Sequence, residues 1–444
     1  MTDLAAVAAQ AKADFDAGIF QLPTATQISA DNEGTFWNAR PELAHIRQYA
    51  QAQMAAPHAV LAVALARVVC QVPVSIVLPA IIYGEASLNK SIALVADSGG
   101  GKGGSTSVAN DAVNIGPPTF NTYTLGTGQG IAHGYGHYNT KAQAVDRHAD
   151  SVLFTVEEVD HLAAHNSQAG STVLAELRRF GMGERLGHLY VDQKRRVQIE
   201  PHTYRGAFIV SVQPGRAGVI IDASDGGTPQ RFYWASTIDL HPPTVEPERP
   251  EPWQWQPPRN LPQPSRPRGL RPIPVCETAA ETIRQGQRDR NAGLGDPLDG
   301  HALLTRERIA AALGILNGHY EVTEEDWELS GHLMRVSDAT RGQVVATLAE
   351  KKRRANRARG QDEAERSIIG IEAAEELAVK RVARSIARKL PDRGSVSHSD
   401  LRKTLASRDR DYFDVAVERL IDAGTMDASD TEHGVHYQRT DEAG

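Results

Sequence analysis

The residues with the clearest chemical potential are a run of glycines that ends in a lysine. A hydrophobic stretch, 91–96, leads into this turn, and a segment compatible with a helix follows Lys102. Bare backbone N–H groups at the amino end of a helix bind phosphate oxygens, and a lysine adds a point charge for the β- and γ-phosphates. The pattern predicts a P-loop that binds ATP with Mg²⁺. Its residues are Ser98, Gly99, Gly100, Gly101, Lys102, Gly103, Gly104 and Ser105.

Two positions depart from the usual G-x-x-x-x-G-K-[ST] pattern of such loops. Ala96 replaces the first glycine, and Gly103 stands where a Ser or Thr hydroxyl ordinarily holds Mg²⁺. We therefore expect the metal to be held through Ser105, through water, or only weakly.

Acidic residues follow a second hydrophobic run at 151–156. They are Glu157, Glu158 and Asp160. An ATPase needs one carboxylate to orient the Mg²⁺ shell and another to polarise the attacking water. We predict that Glu158 activates water, while Glu157 or Asp160 holds the metal shell.

A basic cluster lies farther along, where 189–199 is typical of two short strands. Lys194, Arg195 and Arg196 fall at or near the predicted tip, and another core strand follows at 206–213. The arrangement resembles the pore hairpin of ring-shaped helicases, whose basic tips grip the phosphates of single-stranded DNA. An exposed basic turn without a ligand is the alternative.

Composition limits the protein class. The chain has 444 residues, 41% of them hydrophobic and 23% charged, which is typical of a globular protein of two or three domains. A net charge of −7 excludes a polycation, so any nucleic-acid contact needs a local basic surface. Cys70 and Cys276 lack neighbouring ligands at metal spacing, which argues against a disulfide framework or zinc site and fits a reducing cytoplasm.

Targeting signals are not evident in the sequence. The first 20 residues carry three aspartates and lack the pattern of a signal peptide. The most apolar stretch, 58–83, contains Arg67 and two prolines, which favours a buried helix and a strand over a membrane span. We expect a soluble, cytoplasmic protein without a membrane partner.

The domain organisation follows from a proline-rich segment, 242–274, which holds 12 of the 24 prolines and predicts an extended connector or wrapping arm. Before it the pattern is α/β, and after it helical. We predict an N-terminal mainly helical region (1–85), a P-loop core (86–240), a proline-rich arm (241–276), a helical lid (277–350), a basic linker (351–366) and a winged-helix domain (367–444).

The C-terminal half carries the signals for the last three of these regions. Helices at 305–316 and 323–336, with a capping pattern at 323–326, form the predicted lid. The basic run 351–359 indicates a solvated helix extension or flexible joint, with a nucleic-acid patch as the alternative. Helices at 372–390, 399–406 and 412–423 before a hairpin at 426–439 follow the order of a winged helix, a fold that contacts DNA or only proteins.

From residue 35 to residue 335 the chain resembles a family of P-loop ATPases encoded by phages, plasmids and prophages, often described as primase-helicase or replication proteins. The matching segments are 36–46, 98–103, 158–160, 212–217 and 227–232. A glycine directly after the P-loop lysine is similar to the habit of that family.

The resemblance implies a RecA-like or AAA-type core in which Gln213 senses the γ-phosphate. It makes Arg216 and Arg231 candidates for an arginine finger that reaches a neighbouring subunit, with a structural ion pair as the alternative for Arg231. Residues 304–336 look like the lid of minichromosome-maintenance AAA ATPases. The family often has an acid where this chain has Gln129, and if that acid is the base, hydrolysis here is impaired.

Together these features predict an ATP-dependent DNA motor, a ring-forming helicase of a mobile element, with a hexamer as the expected assembly. Single-stranded DNA, duplex DNA through the winged helix, and a primase or other replication protein are its expected partners. The main alternative is a nucleotide-dependent switch or initiation module that binds ATP and DNA without unwinding. A small-molecule kinase is disfavoured, since no acceptor module is evident.

Overall fold

A computed structural model describes residues 30–160, 173–188, 196–223, 227–265, 268–294, 301–432 and 434–440. The chain forms two compact units, the first ending at Lys351 and the second beginning at Lys352. The helices of the first unit are α1 (Ala30–Asn38), α2 (Pro41–Gln51), α3 (Pro57–Cys70), α4 (Lys102–Ala112), α5 (Gly128–His133), α6 (Val173–Met182), α7 (Gly218–Ile221), α8 (Glu277–Asn291), α9 (Ala302–Asn317) and the start of α10 (Glu324–Lys389).

The strands of the first unit are mostly short. They are β1 (Ile76–Leu78), β2 (Ala86–Ser87), β3 (Lys90–Val95), β4 (Val113–Asn114), β5 (Asn121–Thr124), β6 (Gly136–Asn139), β7 (Ala144–Arg147), β8 (Ser151–Val156), β9 (Arg205–Val212), β10 (Phe232–Ser236), β11 (Trp253–Gln254) and β12 (Arg271–Pro272).

A five-stranded, all-parallel sheet organises this unit, with the order β10-β3-β9-β8-β5. The predicted α/β class is confirmed at this level. The residues of β3 and nearly all of β9 are buried, as expected for central strands of a parallel sheet covered on both faces.

Helix α3 forms the centre of the hydrophobic core beside this sheet. Its sequence is apolar on nearly every side, and Pro57 occupies its first turn, where a missing N–H costs nothing. The helix packs against β9 and against α9, whose residues from Thr305 to Leu316 are almost all buried. The predicted N-terminal helical region is therefore part of the same core as the sheet.

The proline-rich segment wraps the first unit. β11 pairs with β4, and β12 pairs with β1, both in parallel. Trp255 is buried and donates from Nε1 to the carbonyl of Ile315 at 3.0 Å. This segment is therefore an arm that wraps the first unit, and it is not the boundary between the two units. That boundary falls at Lys351.

Helix α10 replaces two predicted helices and the linker between them. Its start has the predicted cap, since Thr323 Oγ1 accepts from the backbone N–H of Asp326 at 3.2 Å. The helix continues for 66 residues through the basic run, and residues 351–375 are exposed. Lys, Arg, Glu and Ala favour helix, so the flexible-joint prediction for this run is wrong and the solvated helix extension is the one observed.

The second unit consists of the end of α10, α11 (His398–Lys403), α12 (Phe413–Asp422) and the strands β13 (Val396–Ser397), β14 (Met426–Thr431) and β15 (Gly434–Arg439). The strands form an antiparallel sheet of order β13-β15-β14. Its core, which includes Ile386, Leu401 and Phe413, is separate from that of the first unit. The predicted order of three helices and a hairpin is present.

Among the described residues, none of the helices is both long enough and apolar enough to cross a bilayer.

Candidate functional site

The predicted chemical residues gather at one edge of the parallel sheet. The glycine loop follows β3, Gln213 follows β9, and Glu157 follows β8. These three strands are neighbours in the order β3-β9-β8. Because the carboxyl ends of parallel strands lie at the same edge, the loop, the glutamine and the acids come together, and such edges commonly bind ligands.

The backbone of the loop requires its glycines. Gly99 and Gly101 both have φ of +77°, a left-handed conformation that disfavours other residues. A Cβ on Gly100 would lie 2.5 Å from the Cβ of Ala96. Ala96, the departure from the usual first glycine, thus fits because residue 100 has no side chain.

A threonine after β10 ties the loop to the sheet. The backbone N–H of Thr237 donates to the carbonyl of Val95 at 3.0 Å, and its hydroxyl donates to the carbonyl of Gly100. These bonds hold the loop in one conformation before any ligand arrives. The sequence analysis did not identify Thr237, although a hydroxyl residue directly after a core strand is a usable signal.

Lys102 begins α4 and folds back over the loop. Its Nζ donates to the carbonyls of Ala96 and Asp97, each at 2.9 Å. Burial lowers the pKa of Lys102, and the charges of Asp97 and Glu158 oppose that shift. The Glu158 carboxylate therefore lies within electrostatic reach of the lysine, although the two residues come from different strands.

The first turn of α4 is open at the position of the missing hydroxyl. Gly103 and Gly104 are exposed, and a Cβ on either would meet nothing within 4 Å. Ser105, the predicted Mg²⁺ ligand, is only 2% exposed, and its N–H donates to the carbonyl of Gly101 at 2.8 Å. Its role as a ligand stays a prediction.

Two of the predicted site residues, Arg216 and Asp160, form an ion pair. Arg216 lies in a 3₁₀ turn (Pro214–Arg216) after β9, and its Nη1 donates to Asp160 Oδ2. The hydrogen bond to Asp160 raises the pKa of Arg216, and the charges of Asp160 and Glu158 add to this. Glu157 and Glu158 are exposed. Arg216, Asp160, Glu158 and Lys102 thus form one charged cluster.

Two glutamines flank this cluster in different ways. Gln213 lies between the loop and the acids, because β9 separates β3 from β8, and its carbonyl accepts from the N–H of Arg216 at 2.9 Å. Gln129 lies in α5 after β5, beyond β8 from the loop. The sensor position of Gln213 is compatible with this geometry.

Arg231 lies at the other edge of the sheet. It precedes β10, whereas the loop follows the parallel strand β3. Burial lowers the pKa of Arg231 to about 10, and the charge of Arg178 adds to this. Arg231 is therefore not part of the loop cluster in its own chain, and a finger role toward a neighbouring subunit stays a prediction.

The structure describes one of the three residues of the predicted basic tip. Lys194 and Arg195 lie outside the described residues, and Arg196 is half-buried. On either side of the tip, Leu186 and Ile199 form an antiparallel pair with N···O distances of 3.0 and 3.1 Å. Residues 196–198 are not in a strand, so the hairpin predicted for 189–199 stays a prediction.

No protein-family model matches the chain, and a search of curated proteins found no match to it either.

Proposed function

We propose that the chain binds ATP with Mg²⁺ on the loop 98–105 and hydrolyses it to move along single-stranded DNA. The observation that carries the proposal is the convergence of Lys102, Glu158 and the Asp160–Arg216 pair beside the glycine loop. The loop offers N–H groups and a cation for phosphates, and the acids offer a base and a metal shell.

Each residue of the cluster has a role in this proposal. Lys102 leaves the carbonyls of Ala96 and Asp97 for the phosphates, since its ammonium group is attracted more strongly to an anionic oxygen than to a neutral carbonyl. Glu158 takes a proton from the attacking water, and Glu157 or Asp160 orients the Mg²⁺ hydration shell. Gln213 contacts the γ-phosphate from β9.

Arg216 links nucleotide state to assembly in this scheme. Its bond to Asp160 occupies a carboxylate that the metal shell would use. Binding of Mg²⁺ would weaken that pair and free the guanidinium for the phosphates of a neighbouring subunit. A closed ring, for which we expect six subunits, supplies such a neighbour at every site.

The charges of the second unit indicate which winged-helix partner is favoured. The exposed residues of α12 include Asp414, Glu418 and Asp422. Arg419 is engaged with Glu376 through bonds of 3.0 and 2.7 Å. An acidic helix repels phosphates, so we assign the α12 face to a protein partner and single-stranded DNA to the basic tip of the first unit.

Steady-state ATP hydrolysis with and without single-stranded DNA tests the proposal. We expect DNA to stimulate turnover, and Lys102→Ala and Glu158→Gln each to lower kcat at least about 100-fold. Lys141→Ala removes a lysine from the exposed β6–β7 turn and should leave turnover unchanged. Unchanged turnover in Lys102→Ala would contradict the proposed site.

A nucleotide-dependent switch is the second candidate, and three observations favour it. Gly103 supplies no hydroxyl to the metal, Gln129 replaces an acid, and Arg216 occupies Asp160. A switch would bind ATP tightly but hydrolyse it slowly in every condition. Measurable ATP binding without DNA-stimulated turnover therefore selects the switch over the motor.

A further inference from the structure

Three helices of the first unit bring two imidazoles and a carboxylate together, away from the residues assigned to ATP. Glu33 lies in α1, His58 at the start of α3, and His332 in α10. Nε2 of His58 is 3.0 Å from both carboxylate oxygens of Glu33, and Nε2 of His332 is 3.2 Å from Oε1. One donor atom of each residue lies within 4.8 Å of the others.

The cluster is enclosed by aromatic side chains. Glu33 and His332 are each 5% exposed. Phe36 stacks on the His332 ring at 4.6 Å, and Trp37 donates from Nε1 to Glu33 Oε2 at 2.8 Å. The contacts with Trp37, His58 and His332 fix the orientation of the Glu33 carboxylate.

The donor set and its spacing match a transition-metal site. Two imidazole nitrogens and one carboxylate oxygen suit Zn²⁺ and related first-row divalent ions. Zn–N bonds of about 2.0–2.1 Å place the donors of a tetrahedral site roughly 3.3 Å apart. Two of the three donor pairs already lie at 3.0 and 3.2 Å. We infer that Glu33, His58 and His332 form a binding site for a divalent transition-metal ion of the Zn²⁺ class.

A small cavity supplies a fourth position. About 40 Å³ of space borders Glu33 and His58 and is also lined by His241. A water needs at least about 10–15 Å³ and two or more polar partners. The buried Nε2 of His241 has no hydrogen-bond partner among the described residues, so it is available to such a water. We expect a water in this space to be the fourth ligand.

A site of this kind would tie α1 and α10 to α3. Three protein ligands from three helices cross-link segments that are distant in sequence, and a metal that binds only the folded state raises its stability. The alternative is a metal-free cluster in which Glu33 bridges two imidazoles by hydrogen bonds alone. The two possibilities differ in metal affinity and in spectroscopy.

Titration of the tag-free, nucleotide-free full chain with Co²⁺ after chelator treatment distinguishes them. We expect one equivalent of Co²⁺ to give visible d–d absorption, which Zn²⁺ then displaces, and Zn²⁺ to raise Tm by about 3–5 °C. His58→Gln and His332→Gln should each weaken Co²⁺ binding at least about 100-fold. His436→Gln, on β15 of the second unit, should bind as the wild type does.

The inference is overturned if the wild type gives no d–d bands and no Tm rise with submillimolar metal. It is equally overturned if folded variants at His58 and His332 bind as tightly as the wild type. Should either histidine variant lose its circular dichroism, the isosteric Glu33→Gln replaces it in the titration. None of these readouts depends on ATP, so the result stands apart from the proposed ATPase.

Discussion

In the proposed ATP site, residue 103 is the position at which a side-chain hydroxyl would hold Mg²⁺. The neighbouring glycines are required by backbone geometry, since Gly99 and Gly101 have positive φ and Gly100 contacts Ala96. Gly103 is different, because it is helical, exposed and open. Its lack of a hydroxyl is therefore a chemical property of the site and not a steric requirement of the loop.

We predict that Gly103→Ser strengthens Mg²⁺-dependent ATP binding. The added hydroxyl can coordinate the ion directly, so the Mg²⁺ concentration for half-maximal binding of a fluorescent ATP analogue should fall several-fold. Gly103→Ala is the control, since it also adds a Cβ and favours the helix but supplies no oxygen. Equal behaviour of the Ser and Ala variants would show that the metal is held elsewhere.

We expect a single buried carboxyl, that of Glu307, to make the stability of the first unit depend on pH. It lies in α9, is 4% exposed, and has an Oε1 with no hydrogen-bond partner among the described residues. Burial raises its pKa to about 8, although the charge of Arg308 opposes the shift. The folded state therefore holds a proton that the unfolded chain releases above its ordinary pKa of 4.5.

We predict that this proton makes stability fall as pH rises from about 4.5 to 8. Glu307→Gln removes the dependence and should raise the free energy of unfolding at pH 8.5 by roughly 2–4 kcal/mol relative to wild type. Urea unfolding followed by tryptophan fluorescence measures it, since all five tryptophans lie in the first unit. Glu328→Gln, an exposed change on α10, should have no such effect.

Lys90 changes stability with pH in the opposite direction, and the Glu307→Gln substitution leaves Lys90 in place. Burial lowers its pKa to about 7, and the charge of Arg308 adds to this. Its contribution to stability is lost as pH falls from 10.5 toward 7. Because it is present in both proteins, the difference between wild type and Glu307→Gln isolates the carboxyl. An unchanged pH profile in the variant would show that Glu307 is ionised when folded.

Among the elements, the proline-rich strap between β10 and α8 is anchored by a buried tryptophan as well as by the pairing of β11 and β12. Trp255 is 4% exposed, its N–H donates to Asn114, and its ring N–H donates to Ile315. Trp253, two residues earlier, is only half-buried. β11 and the residue directly after it thus offer a half-buried tryptophan, Trp253, and a buried one, Trp255.

We predict that Trp255→Ala lowers the free energy of unfolding by about 3–5 kcal/mol and speeds proteolysis within 242–265. Loss of the buried indole leaves a cavity and removes its hydrogen bond to the carbonyl of Ile315, which still accepts from the N–H of Gly318. Urea unfolding and limited proteolysis with peptide mapping measure the two effects. Trp253→Ala should show a smaller loss and little change in cleavage. Equal losses for both variants would mean that the strap is held along its length.

The elements also show how far sequence reasoning reaches. The buried strands β3, β8 and β9 are apolar runs, and the predicted helices around Gly318 and the cap at Thr323 depend on local signals. β5 is a strand with four exposed residues, so no hydrophobic pattern indicates it. The strand order depends on pairing between distant segments, which local periodicity does not specify.

The candidate site shows the same difference between local motifs, which the sequence reveals, and contacts between distant residues, which it does not. The glycine loop and the acids of β8 are contiguous motifs and were found. The bond from Thr237 to Gly100 and the pair of Arg216 with Asp160 join residues far apart in the chain, and neither was predicted. The Glu33, His58 and His332 cluster was missed for the same reason, since its ligands share no spacing motif.

For the molecule as a whole, charge is the property that limits contact with DNA. The chain carries a net charge of −7, so phosphates must meet a local basic surface. Two basic runs of the sequence are candidates for such a surface, the predicted tip at 194–196 and the run that begins at residue 351 on the exposed part of α10. The proposed motor uses the tip, because translocation needs contacts that move with the ATP site.

We predict that replacing Lys194, Arg195 and Arg196 by alanine weakens single-stranded DNA binding and makes its salt dependence shallower. Each phosphate contact contributes a slope of about −0.7 in log K against log salt concentration for single strands. Loss of three contacts should therefore reduce the slope by about two, measured by fluorescence anisotropy at several salt concentrations. ATP hydrolysis without DNA should be unchanged, because none of the three residues has a role in the proposed ATP site.

Alanine at Lys352, Arg353 and Arg354 is the matched control, since it removes three basic charges from exposed α10. With the tip as the DNA contact, this variant keeps the wild-type slope. A slope reduced by the α10 variant and unaffected at the tip would move the DNA surface to α10. That result would contradict a role for the tip in DNA binding, and with it the proposal that the tip hairpins move along the strand when ATP is hydrolysed.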